Sequence, residues 1–269
     1  MEYGVRLTLA YDGTDFAGFQ RQREERTVQA VLETAIERIT RCAVSVRAAG
    51  RTDAGVHAEG QVVAFDTTRS LAPERWCMAI NRYLPADVAV QDSAACAPQY
   101  NPRFDAIDKT YRYLCHLGSA RDPLLRHRAW LLSRSRERAA QSGAQLDLDA
   151  MHACCELLLG SHDFGAFRAA DDIRENTVRT LFRVQLIPDW LGRHQLLAIE
   201  VQGSAFMKNM VRIIAGTLVA VGRGRLTTSQ VAELLQPKAT RSKYAETAPA
   251  HGLTLVQVRL GRLRPREAR

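Results

Sequence analysis

The chain has 269 residues, 46% of them hydrophobic and 25% charged, the proportions of a folded globular protein with one large core or two modest ones. It contains no apolar run of about eighteen residues, and its opening lacks the basic-then-apolar layout of a signal peptide, so the expectation is a cytoplasmic protein without helical membrane spans. A formal net charge of +8 and a pI near 9.5 favour a polyanionic partner, although a solvated basic surface accounts for the charge equally well.

Val5, Leu7, Leu9 and Tyr11 alternate with other residues, the two-residue period of a half-buried strand. Thr27 stands where it can cap a helix whose apolar positions Val28, Val31, Leu32, Ala35, Ile36 and Ile39 recur at helical spacing. A short strand over residues 44–49, a glycine-punctuated loop over 50–60 and a strand over 62–65 come next. Pro73 opens a helix reaching about residue 84, and residues 87–91 return as strand. The order βαββαβ is the split-βαβ arrangement shared by ferredoxin-like domains and the RNA-recognition motif, RRM.

Residues 106–117 read as a strand with Tyr111, Tyr113, Cys115 and Leu117 on one face and Thr110, Arg112, Leu114 and His116 on the other. A basic looped stretch over 121–138 leads to a helix from near Asp147, then to strands at 178–187 and 195–202. A long helix over 204–221, another near 229–235 and a last strand at 253–260 complete the pattern. The order is again roughly βα-ββ-αβ, a duplication of topology without self-similarity of sequence. The tail from Gly261 carries four arginines and reads as a frayed, solvated terminus.

Cys42, Cys77, Cys96, Cys115, Cys154 and Cys155 form no C-x-x-C pair and no zinc-site spacing. Their apolar surroundings predict buried free thiols in a reducing compartment. Lysine occurs only at Lys109, Lys208, Lys238 and Lys243; arginine, whose planar fork suits phosphates and stacks on bases, supplies the rest of the positive charge.

Four segments are able to carry chemistry. Gly50-Arg51-Thr52-Asp53-Ala54-Gly55-Val56-His57-Ala58 links two strands, so its polar residues sit on a loop held by a sheet. Asp53 there suits a nucleophile or base, and Arg51 a phosphate or a gap in a base stack, but composition alone favours an Asx turn. Lys109-Thr110-Tyr111-Arg112-Tyr113 alternates cations with aromatics, which grips a nucleotide or else packs a core strand. On the helix through Met207 and Met210, Lys208 and Arg212 lie four apart beside a wide apolar face. A buried Arg212 needs an anionic partner, whereas a snorkelling one meets water. The run Tyr11-Asp12-Gly13-Thr14-Asp15-Phe16-Ala17-Gly18-Phe19-Gln20-Arg21-Gln22 has the wrong layout for a dinucleotide or phosphate-binding glycine loop and reads as a turn or binding loop.

Taken in order, these segments resemble the TruA family of tRNA pseudouridine synthases. The resemblance rests on Tyr11-x-Gly13-x-x-Phe16-x-Gly18-Phe19-Gln20-x-Gln22, Thr27-Val28-Gln29, Gly50-Arg51-Thr52-Asp53-Ala54-Gly55-Val56-His57 and Lys109-Thr110-Tyr111-Arg112-Tyr113. It continues through Asp163-Phe164-x-x-Phe167-Arg168, Met210-Val211-Arg212 and Ala248-Pro249-Ala250-x-Gly252-Leu253, and so spans nearly the whole chain. It implies that Asp53 is the essential aspartate and that Arg51 takes the place of the extruded nucleotide. Tyr111 then packs on the flipped base, Arg212 pairs with the aspartate, and Leu253 forms an apolar wall of the pocket. It also implies a homodimer without cofactor or metal, acting on the 3′ side of the tRNA anticodon stem-loop at tRNA positions 38, 39 and 40. The chain departs from the family pattern at Met207-Lys208-Asn209, at Pro102, at Glu246 and in an unusually acidic stretch bearing Asp171 and Asp172.

The resulting expectation is an α+β protein of two RRM/ferredoxin-like halves with antiparallel sheets meeting around a central basic cleft. Residues 1–103 carry the catalytic loop, and residues 104–269 complete the site. Asp53 is the catalytic residue; Arg51, Tyr111, Arg212 and Leu253 support it; Arg51, Lys109, Arg112 and Lys208 bind RNA. The partners are tRNA and a second copy of the chain, with no DNA and no membrane. Two rival readings are a non-catalytic RNA-binding or RNA-folding protein, against which the intact Asp53, Tyr111 and Arg212 set argues, and a pseudouridine synthase acting on another class of RNA.

Overall fold

The structure, a computed structural model, describes residues 2–132 and 146–261. The expected basic loop from residue 133 on and the arginine tail beyond Gly261 lie outside the described residues. In chain order the elements are β1 (Tyr3–Tyr11), α1 (Val28–Thr40), β2 (Arg47–Ala48), β3 (His57–Thr67), α2 (Arg75–Asn81), β4 (Val88–Cys96), α3 (Pro102–Asp105) and β5 (Ala106–His116). Then come β6 (Trp130–Leu131), α4 (Leu148–Leu158), β7 (Gly160–Asp163), β8 (Val178–Ile187), β9 (Leu196–Gly203), α5 (Met210–Gly222), α6 (Thr228–Leu234) and β10 (Leu253–Leu260). The fold is α+β with mostly antiparallel pairing, and it divides into two compact units. One comprises the chain up to Lys109 and from Thr254 onward; the other is Thr110–Leu253. Among the described residues no helix is long and apolar enough to cross a membrane.

In the first unit β1 lies between β3 and β4, and both β2 and β10 pair with β3. The alternation read from the sequence is the observed one: Val5, Leu7, Leu9 and Tyr11 are buried while Arg6, Thr8 and Ala10 are partly exposed. The Thr27 hydroxyl accepts the Ala30 N–H and starts α1, which buries Val28, Leu32 and Ile36; Phe65 and Trp76 meet edge to face at 5.3 Å in the same core. The α1 face also buries Glu33, whose carboxylate accepts from Arg21, Gln29 and the Val46 N–H, so the charge is fully engaged.

The observed strands depart from the expected pattern. β3 begins at His57, several residues early, because Gly60 serves close packing and not a turn: a Cβ there would lie 2.5 Å from the Val256 carbonyl oxygen on β10. β10 runs parallel to β3, with Thr254 opposite His57, and β6 runs parallel to β5, so the sheets are not purely antiparallel. β4 extends to Cys96 through Gln91 and Asp92, polar residues that an edge strand tolerates. All six cysteines are free, but Cys42 is exposed, because it follows the left-handed Arg41 that ends α1; Cys115, Cys154 and Cys155 are the buried ones.

The second unit orders its strands β5-β9-β8-β7. Asp147 caps α4 by accepting the Ala150 N–H, and α6 opens on a reciprocal Thr227–Gln230 capping box. Every residue of α5 except Arg212 is buried. A helix apolar on all sides must be surrounded by protein, and here the packing is close enough that a Cβ on Gly216 would lie 2.0 Å from the Glu246 carbonyl oxygen. The helix starts at Met210 and not near 204, because Asn209 adopts a left-handed φ of 61°.

Gly216→Ala is therefore expected to destabilise the protein by roughly 1–3 kcal/mol, the scale of an overpacked core, although alanine is the better helix former. Urea denaturation checks this; unchanged stability would mean that α5 and the Glu246 backbone are not in close contact.

Candidate active site

The loop between β2 and β3 is fixed from both sides within the first unit. Ala49 donates its N–H to the Val62 carbonyl at 2.8 Å, and Gln61 Nε2 donates to the Gly50 carbonyl at 3.0 Å. Thr52, in the middle, is buried: its carbonyl accepts the Phe19 N–H at 3.0 Å, and its hydroxyl meets the Tyr11 hydroxyl at 2.8 Å. Gly55 donates to the Phe16 carbonyl, and the Gly13 N–H donates to His57 Nδ1 at 3.0 Å. Two adjacent loops are thus joined mainly through backbone groups. Their glycines permit the approach: a Cβ on Gly13 would lie 2.0 Å from the Val56 carbonyl oxygen, and one on Gly18, at φ 107°, would lie 2.9 Å from the Thr52 carbonyl oxygen.

With Thr52 turned inward, its neighbours turn outward. Arg51 is exposed and Asp53 is partly exposed. The Asx-turn reading would place a backbone N–H on the Asp53 carboxylate. Instead the Asp53 carbonyl closes the turn by accepting the Val56 N–H at 3.2 Å, and among the described residues of its unit nothing hydrogen-bonds to the carboxylate. Beneath the loop Tyr11 is buried, and desolvation pushes its pKa up to about 12 against the pull of hydrogen bonds from Thr52 and Gln61. His57 is buried as part of the support.

Lys109 also belongs to this unit. Its side chain covers Gly50, with Nζ 3.0 Å and Cε 3.4 Å from where a Cβ would stand. Burial, reinforced by the nearby Arg103 charge, brings the amine down to about 8.

The second unit holds Tyr111, Arg212 and Leu253. Tyr111 is buried on β5, its ring edge-on to Phe206 with centroids 5.1 Å apart. Two residues on, Tyr113 donates to the Pro249 carbonyl at 2.9 Å, and Gly252 packs so closely on its ring that a Cβ would lie 2.6 Å away. Leu253 follows, buried. Arg212 donates from Nε to the Ala248 carbonyl at 2.7 Å and from Nη1 to Asn209 Oδ1 at 2.8 Å, neutral acceptors that orient the guanidinium. Arg112 and Lys208, expected to bind RNA, both hold carboxylates: Arg112 pairs with Glu200 and lies over the Trp190 ring, and Lys208 Nζ meets Asp171 at 2.6 Å.

Phe206 and Asn209 were missing from the sequence-derived site. Both lie in a segment read as helix, which the sequence marked out for its apolar face, for Lys208 and Arg212 and for the departure from the family pattern at Met207-Lys208-Asn209. The supporting role of Gly13, Phe16 and Gly18 was also hidden, because residues that brace a loop look the same as residues that form one.

Comparison with known proteins places these residues in context. Residues 8–105 and 154–260 match the sequence profile of the family described as tRNA pseudouridine synthase. The tRNA pseudouridine synthase A of Chloroflexus aurantiacus is 44% identical over 256 residues, covering 95% of this chain and 88% of that one. Those of Shouchella clausii and Geobacter sulfurreducens are 42% and 41% identical, each over more than nine-tenths of both chains.

Lys109→Met keeps the apolar stem and removes the charge. A folded-state pKa lowered to about 8 from 10.5 means that burying the ammonium costs stability below pH 8, and that the cost disappears as pH rises through 8 towards 10.5. The variant should therefore melt at a higher temperature than the parent at pH 7, with the gap closing by pH 10.5. A gap independent of pH would show that the amine is not desolvated.

Proposed function

The chain belongs to the tRNA pseudouridine synthase family, a family of isomerases, and we propose that it converts uridine to pseudouridine on the 3′ side of tRNA anticodon stem-loops, with Asp53 as the catalytic carboxylate. The observation that carries the assignment is the Asp53 loop: a carboxylate on a braced backbone, partly exposed, with no hydrogen bond from the described residues of its own unit.

The reaction breaks the bond from the ribose carbon to N1 of uracil, turns the base and forms a bond from the same carbon to C5. The proton on C5 is lost and N1 gains one, so the change is an isomerisation with no net redox step. A carboxylate serves this chemistry as a nucleophile or as a base, and each role requires the ionised form. A uridine in a stem must first leave its stack. In the proposed assignment Arg51, exposed beside Asp53, fills the place of the flipped nucleotide, Tyr111 packs on the uracil, Leu253 walls the pocket, and Arg212 supplies positive charge to the aspartate. A rigid brace suits this work, because a nucleophile held in place loses little entropy on the way to the transition state.

Arg51, Lys109, Arg112 and Lys208 are the proposed contacts to RNA, the last two by sharing or exchanging the carboxylates they hold with phosphate. The resemblance extends the proposal to a cytoplasmic homodimer without cofactor and to RRM-like halves. The strand order β4-β1-β3-β2 in the first unit supports that last point.

Asp53→Asn, close in shape but unable to attack or to take a proton effectively, is expected to lower pseudouridine formation on tRNA transcripts by about 10³-fold, within the range of a positioned acid–base group. Its affinity for tRNA should stay close to that of the parent. Full activity in this variant would refute Asp53 as the catalytic carboxylate, whereas a parent protein that forms no pseudouridine would leave an RNA-binding protein without this chemistry as the reading.

A further inference from the structure

Residues 169–174 of the second unit form a loop docked on the segment that leads into α5. Ala169 donates its N–H to the Lys208 carbonyl at 3.0 Å, and Lys208 returns its own N–H to Asp172 Oδ2 at 3.1 Å. The Asp172 side chain is 3% exposed. Its Oδ1 accepts the Arg174 N–H at 3.2 Å and faces Arg174 Nε at 3.0 Å, and the same guanidinium reaches the Phe206 carbonyl at 3.3 Å. Burial pushes the Asp172 carboxyl upward, but the N–H groups of Lys208 and Arg174, with the charges of Arg174 and Arg168, outweigh it and hold the group below its ordinary range. Asp172 is therefore a buried, ionised carboxylate with each oxygen engaged.

This clamp fixes a bend. Lys208 is gripped through its backbone, so the contact does not depend on its side chain, which lies on Asp171. Immediately after it, Asn209 takes the left-handed φ of 61° and accepts from Arg212 Nη1. Two residues before it, Phe206 places its ring against Tyr111. The grip at Lys208 thus lies between the two contacts that orient Arg212 and Tyr111. A left-handed asparagine costs free energy that its surroundings must supply, and a buried carboxylate accepting two backbone N–H groups is a strong local source.

We propose that Asp172 is a positioning residue for the reaction, acting through the 206–209 bend to hold Arg212 and Tyr111 in place. The proposal rests on the functional reading above, which assigns those two residues to the uridine site.

The test is steady-state kinetics on tRNA transcripts for Asp172→Ala, Asp172→Asn, Asn209→Ala and the Asp172→Ala/Asn209→Ala pair. The expected result is a kcat at least about tenfold lower for Asp172→Ala with little change in KM, on the scale that misplacing an active-site group carries. Asp172→Asn, which keeps one acceptor, should fall between Asp172→Ala and the parent. The double variant should be little worse than the more severe single one, because both act through the same 206–209 bend. Val231→Ala, a cavity in α6 of the same unit, supplies a control that lowers the melting temperature while leaving kcat unchanged well below it. If Asp172→Ala does not fold, the same cycle is run with Asp172→Asn. Folded Asp172 variants with the parent kcat, or losses that multiply with Asn209→Ala, would overturn the proposal while the pseudouridine reading stands. A parent protein that makes no pseudouridine in tRNA overturns both.

Discussion

The hydrogen bond from the Phe19 N–H to the Thr52 carbonyl decides which way the Asp53 loop faces. A buried carbonyl must find a donor, and once Thr52 is committed inward, through both its backbone and the hydroxyl that meets Tyr11, the residues on either side have only the outward direction left. Arg51 and Asp53 owe their exposure to a residue that does no chemistry. The arrangement needs two loops at backbone contact distance, and β1 and β3, paired over nearly their whole length, bring those loops to the same end of the sheet. Gly13 and Gly18 then remove the side chains that would hold the loops apart.

The second unit solves a different problem with a related device. α5 is buried on every side, and its single charged residue, Arg212, is oriented by a carbonyl and an amide oxygen. These two neutral acceptors fix the direction of the guanidinium, which suits a residue whose proposed partner is an anion. The cost of stopping the helix at Asn209 is met by a buried carboxylate on a neighbouring loop. In the proposed reaction, preorganisation of this kind precedes substrate binding and leaves little rearrangement to the chemical step.

Much of the fold was legible in the sequence, because periodicity reports burial directly. The alternation over β1, the helical spacing after Thr27 and the bounds of β8 and β10 were all readable in this way. What escaped was set by tertiary contact. Gly60 reads as a turn until β10 is seen passing within van der Waals distance of it, and the α5 start is displaced by a bend held by a loop that is remote in sequence and adjacent in space. The Asp53 loop shows the same limit at the level of the site. Its composition favoured an Asx turn, and only the ordered resemblance across the chain marked the aspartate as catalytic. The geometry then removed the simplest alternative, since the backbone carbonyl makes the turn and the carboxylate does not.

The central claim joins a braced carboxylate to one reaction on one class of RNA. It is tested most directly by mapping pseudouridine in total RNA from cells with and without the gene for this protein. The account predicts loss of pseudouridine on the 3′ side of tRNA anticodon stem-loops, unchanged ribosomal RNA, and recovery when the parent gene is returned. Unchanged tRNA maps, or losses confined to ribosomal or messenger RNA, would contradict it.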